Sequence, residues 1–194
     1  MTHDAVSSVG VHYRYESSVG SKSTDDSNGS IVVQASLYNG TGYNHFTGRE
    51  NIFRVCPKDD GIFGVTEIAY SRHGSYYSLG NACYLKDKMS ATPWLYAEQR
   101  VCRSLTLLAG YSHAFASESV CQDFVGFGAH YQAGKCQLGV FTDYATFGKT
   151  NEFATELSCK LRLFTSMYIQ PTVHLITSDN RLHCVAMLRM SLSL

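Results

Sequence analysis

The residues of this chain that could do chemistry fall at alternate positions. Glu156, Lys160 and Arg162 share one segment, Gln170 and His174 stand four residues apart in the next, and Arg189 lies in the last. A period of two puts such residues on one face of a β-strand. Carboxylate, cation, amide and imidazole groups on one face can serve two ends. On a soluble sheet they are a solvated surface carrying weak ion pairs. Inside a barrel they line a lumen and select what passes. The fold decides between these readings.

Other reactive groups give no site. The sequence has no GxSxG, no HExxH and no GxxxxGK[ST], and Gly126-Phe127-Gly128 lacks the third glycine of a dinucleotide fingerprint. The seven cysteines lie fifteen to twenty-seven residues apart with no CxxC pair, which excludes zinc-ribbon and thioredoxin-type readings. They read as small apolar residues, buried or facing lipid, with disulfides in an oxidising envelope as the second reading. Of eight histidines, His113, His130, His174 and His183 fall on expected strands and read as partnered or lumen-facing groups rather than ligands. The expectation is no catalytic residue, no metal and no cofactor, hence no enzyme.

Composition narrows the elements that must position these residues. Sixteen Lys and Arg balance sixteen Asp and Glu over 194 residues, so no basic field invites nucleic acid. Charged residues are 16% of the chain, against about 25% in soluble domains. Thirteen Tyr, ten Phe and sixteen Gly favour an all-β chain. No apolar run approaches the ~18 residues of a spanning helix, which leaves a closed barrel as the membrane structure still open. Met1-Thr2-His3-Asp4 has neither the basic nor the apolar region of a signal peptide. For an outer-membrane protein that implies a fragment or a chain that lacks its true start.

The chain reads as one domain, 1–194, of about eleven strands joined by turns, with polar loops near 17–30 and 38–60. Strands are expected at 9–16, 30–38, 61–72, 75–85, 94–103, 105–113, 123–132, 136–147, 152–163, 167–177 and 182–194. The final three alternate most cleanly. Phe153, Leu157, Leu161, Val173, Leu175, Leu188 and Met190 form apolar rows, while the opposite rows carry the six polar residues named above. Segments of ten to thirteen residues exceed the ~5–6 of soluble strands and suit a transmembrane barrel. A soluble or secreted β-sandwich that binds a ligand through Tyr-rich loops is the alternative.

From about Leu37 to Leu194 the sequence resembles the C-terminal portion of the carbohydrate-selective porin family (OprB-like), which includes a chlamydial arginine-specific porin. The resemblance is carried by Leu37-Tyr38-Asn39-Gly40-Thr41-Gly42, by Glu67, Tyr70 and Leu79-Gly80, and by Gly126, Gly128, Tyr131 and Leu138-Gly139. It is carried further by Ile169-Gln170-Pro171 with His174-Leu175, and by Leu188-Arg189-Met190-Ser191-Leu192. Met187 departs from the family's glycine, and Leu194 from an aromatic terminus. The resemblance implies an antiparallel meander in the bacterial outer membrane, an incomplete portion of a larger barrel in contact with lipid. It implies passive diffusion of a small polar solute, a sugar or an amino acid, past pore-lining Glu156, Lys160, Arg162, Gln170, His174 and Arg189. A homo-oligomer stays open, and so does a truncated product that makes no pore. The 194 residues alone are not expected to close.

Overall fold

The computed structural model describes residues 10–19, 29–39, 61–86, 89–115, 121–164, 167–179 and 181–192. They form eleven strands: β1 (Gly10–Val19), β2 (Gly29–Asn39), β3 (Ile62–Arg72), β4 (Ser75–Leu85), β5 (Met89–Arg100), β6 (Leu105–His113), β7 (Asp123–Ala133), β8 (Cys136–Phe147), β9 (Thr150–Phe164), β10 (Met167–Ser178) and β11 (Arg181–Leu192). All lie in one sheet in chain order, each antiparallel to the next. The described residues thus make an antiparallel meander, not two stacked sheets. β1 and β11 are not paired with each other, so the sheet is open at both edges.

Turn chemistry closes the hairpins. β3 and β4 are joined by His73-Gly74, with φ of 51° and 75°, both in the left-handed region that a type I′ turn demands. Gly134 and Gly148 hold φ of 59° and 61° at the first turn position between β7 and β8 and between β8 and β9, as in a II′ turn. These tight turns occur at both ends of the sheet. The β1–β2 hairpin runs further than the expected loop at 17–30 allows. Ser17, Ser18 and Val19 pair with Ile31, Ser30 and Gly29, because backbone ladder bonds form whatever the polarity of small side chains. Residues 20–28 and 40–60, the rest of the two expected loops, lie outside the described residues, as do Val9 and the final two residues of the chain.

β5 begins at Met89, five residues before the expected Trp94. Pro93 suggests a break, since it has no N–H for a ladder. In the fold it pairs with Asn81 of β4 at a point where β6 has not yet joined the other side of β5. On that flank Phe115 N donates to Ala91 O at 2.8 Å and Trp94 pairs with Ser112, so the proline sits in a short gap between bonded positions.

Register sorts the side chains. One row crosses all eleven strands: Tyr15, Val33, Ile68, Leu79, Leu95, Tyr111, Val125, Tyr144, Phe153, Thr177 and Leu182. Ten of these eleven residues are apolar or aromatic, and Thr177 is the exception. Away from strand termini, every described Asp, Glu, Lys and Arg of the strands has the opposite parity and belongs to the other face. A single layer has no interior between layers. The buried hydrophobic residues among those described are Ala69, Ala114 and Ala145, while Val11, Leu188 and Met190 are 74%, 66% and 66% exposed. A soluble sheet covers such a face with a second layer, and the described residues supply none.

Polar groups on the apolar face are few, and several pair with one another. Thr142 and Thr155 face each other across β8 and β9 with hydroxyls 3.1 Å apart. Asn81 Nδ2 donates to Cys83 Sγ at 2.9 Å. The strand cysteines Cys83, Cys136, Cys159 and Cys184 all take apolar-face parity. Cys136 and Cys159 approach to 3.5 Å between sulfurs without a disulfide.

Candidate functional site

The polar face of β7–β11 brings the sequence-expected residues together. Gln137 of β8 stands opposite Lys160 of β9, Glu156 opposite His174 of β10, Arg162 opposite Tyr168, and Gln170 opposite Arg189 of β11. All six residues singled out from the sequence share this face. Glu156, Lys160 and Gln170 line one cavity of about 420 Å³ with His130, Gln137 and Ser158. His174, Arg162 and Arg189 lie outside it.

Contacts hold several of these groups in place. His174 Nε2 is buried, without a hydrogen-bond partner, and lies 3.7 Å from Glu156 Oε2. Protonation of the ring would turn that approach into an ion pair. Lys160 Nζ sits 4.0 Å from the centroid of the Tyr168 ring, a cation–π contact that fixes the ammonium beside the β9–β10 turn. Gly139, opposite Ser158 and His130, keeps the floor of the cavity low. A Cβ there would stand 2.7 Å from Ser158 Oγ.

A second cavity, of about 780 Å³, opens on the same face over β3–β8, and sequence reasoning missed it. Its lining includes Phe63, Tyr76, Trp94, Tyr96, Phe124 and Phe141, with Glu67 at its edge. Glu67 accepts hydrogen bonds from Gln34 Nε2 at 2.7 Å and from the Tyr76 hydroxyl at 2.8 Å. The Tyr96 hydroxyl donates to Glu98 at 2.6 Å. Tyr96 and Phe141 line both cavities. The signal that could have revealed this region is cross-strand pairing of glycine with an aromatic residue, legible only once the register is known.

His113 takes apolar-face parity at the end of β6, where its Nδ1 lies 2.7 Å from Asp123 Oδ1. Asp123 also receives the Thr146 hydroxyl at 3.4 Å. This is a partnered histidine at the rim. Nearby, outside the strands, burial pushes the Cys121 thiol up, and the carboxylates of Asp123, Asp143 and Glu152 add to the shift. That opposes thiolate formation, the reverse of what a nucleophile requires. Among the described residues, no group of three or more His, Cys, Asp or Glu could hold a metal.

No family model matches the chain, and no curated protein matches it. Among solved structures it is similar to a KdgM porin, over 96% of this chain and 99% of that one, at 12% identity and a TM-score of 0.42. It is similar to the KdgM porin in complex with disordered oligogalacturonate over the same shares of the two chains, 96% and 99%, at 11% identity and a TM-score of 0.46. A mutant of the Rh. blastica porin is similar over 94% of this chain and 89% of that one, at 7% identity and a TM-score of 0.43.

Proposed function

We propose that this sheet is wall of a bacterial outer-membrane porin, through which small polar solutes, sugars before amino acids, diffuse passively. One observation carries the reading: a row that crosses eleven strands and is apolar or aromatic on all but one of them backs a face that holds the charged side chains. Lipid is the partner that covers such a face without a second layer. The dimensions agree. A twelve-residue strand such as β8, tilted near 45°, rises about 28 Å, against an apolar band of about 25 Å in outer-membrane barrels. Glu156, Lys160, Arg162, Gln170, His174 and Arg189 then belong to the water-filled side. There they exchange contacts with a solute that moves down its gradient, with no bond made or broken. The sequence resemblance to carbohydrate-selective porins points the same way for the solute.

A pore also requires that the edges of β1 and β11 be satisfied, by each other or by further strands, because unpaired backbone groups in lipid cost several kcal/mol each. Liposome swelling in isotonic sugars and amino acids tests the reading. The 194 residues by themselves, with both edges open, are expected to give little swelling. Joined to strands that pair with β1 and β11, they are expected to admit solutes without ATP or an ion gradient. A closed, inserted barrel that stays impermeable overturns the reading.

A further inference from the structure

The second cavity is built in an unusual way for a polar face. Its rings lie down on glycines of the neighbouring strand. Trp94 of β5 is paired with Gly80 of β4, and a Cβ at position 80 would fall inside the indole. Phe141 of β8 is paired with Gly128 of β7, where a Cβ would stand 2.6 Å from the ring. Tyr96 of β5 is paired with Gly110 of β6, with 3.6 Å from such a Cβ to the ring. A side chain on Gly80 or Gly128 would force its ring to move, while one on Gly110 would only touch the Tyr96 ring. Without one, the Trp94 and Phe141 rings occupy the space above the glycine backbone and line the cavity.

The edge of this surface is polar, and its carboxylate already accepts two hydrogen bonds. Gln34 and Tyr76 each donate to one oxygen of Glu67, and Tyr96 donates to Glu98. Each Glu67 oxygen keeps a further lone pair for a hydroxyl donor. Ser78, Thr92 and Ser112 add hydroxyls that can donate or accept.

We propose that this glycine-backed aromatic surface is a stacking platform for an uncharged pyranose sugar, oriented from the rim by Glu67. The proposal rests on reading this face as the water-filled one, and deepens it by placing the solute on named residues. A pyranose chair presents axial C–H groups, polarised by their hydroxyl neighbours, that match the negative π-face of an aromatic ring. Its equatorial hydroxyls point outward to donors and acceptors at the rim. A broad apolar floor with a few placed polar groups suits that ligand, and about 780 Å³ leaves room for two sugar rings. Free arginine is the rival, because a guanidinium also stacks on aromatic faces. Its guanidinium could take the same Glu67 lone pairs, but its own carboxylate would need a cation, and the lining of the cavity holds none.

Trp94 is the one tryptophan of the chain, so its emission reports on the platform directly. The full chain, folded in detergent, is titrated with maltose and, separately, with arginine. Maltose is expected to shift or quench the emission to saturation, and arginine to leave it unchanged. Phe141→Ala and Tyr96→Ala, checked for retained strand content by circular dichroism, are expected to weaken the maltose response about tenfold each. Phe127→Ala, on the apolar face, is expected to leave it unaltered. Saturation by arginine but not by maltose overturns the proposal, as does a Trp94 signal that neither ligand moves. A saturable maltose response in a closed barrel that does not swell refutes the pore reading and leaves the platform standing.

Discussion

At the scale of single residues, neighbours in sequence have opposite surroundings. Leu157 and Glu156 are adjacent, yet Leu157 stands opposite Val140 and Val173 on the apolar face, while Glu156 stands opposite Phe141 and His174 on the polar one. If lipid covers the first face, Leu157→Arg should cost roughly 2–4 kcal/mol near the bilayer midplane. Glu156→Gln should cost less than about 1 kcal/mol, since its approach to His174 is loose and partly exposed. Urea titration of folded protein in lipid vesicles measures both. Equal sensitivity at the two positions would mean that both faces are buried, contrary to a water-filled interior.

At the scale of elements, legibility followed the contrast between the two faces. β9, β10 and β11 alternate apolar with charged or amide groups, so their extents and shared polar face could be read within a residue or two. β5 has no such contrast. Trp94 and Tyr96 take the polar face while Leu95 and Ala97 take the apolar one, so both rows look hydrophobic and neither the strand's start nor the platform could be seen. Gly126 and Gly128 could be set aside as a dinucleotide fingerprint from the sequence, but could not be seen there as seats for the Phe141 ring. Turn residues were legible where backbone sterics alone decide. In the β3–β4 hairpin His73 bears a left-handed φ of 51°, which a branched or imidazole side chain adopts at some cost. His73→Asn should therefore stabilise the fold by a few tenths of a kcal/mol, and Gly74→Val should destabilise it by about 1–2 kcal/mol. Equilibrium unfolding of the two variants in one detergent checks the signs.

For the whole molecule, the arrangement of thiols offers a test of topology. Cys83, Cys136, Cys159 and Cys184 share the apolar face, whereas Cys102 lies exposed in the connection between β5 and β6. In lipid vesicles a charged, membrane-impermeant maleimide should label Cys102 and spare the other four. A lipid-soluble maleimide should reach the four as well. Mass spectrometry of the labelled peptides distinguishes the outcomes. Ready labelling of Cys159 and Cys184 by the charged reagent would show that water, not lipid, lies against that face.

The ladder between β9 and β10 has a gap that bears on how the sheet moves. Gln170 and Pro171 pair with Arg189 and Leu188 of β11, but no pairing with β9 joins them to Cys159 and Lys160, and the register shifts again at Met167 and Tyr168. Proline has no amide hydrogen to give, so this stretch of the seam is held by flanking pairs and side chains. It should behave as the local weak point of the wall, opening with a smaller free energy than the strands on either side. In deuterated buffer the amides around Lys160 are expected to exchange faster than those of Leu157 or Val173. The fastest breathing of the sheet would then lie beside the cavity that holds Lys160 and Gln170, where a passing solute must make and break its contacts.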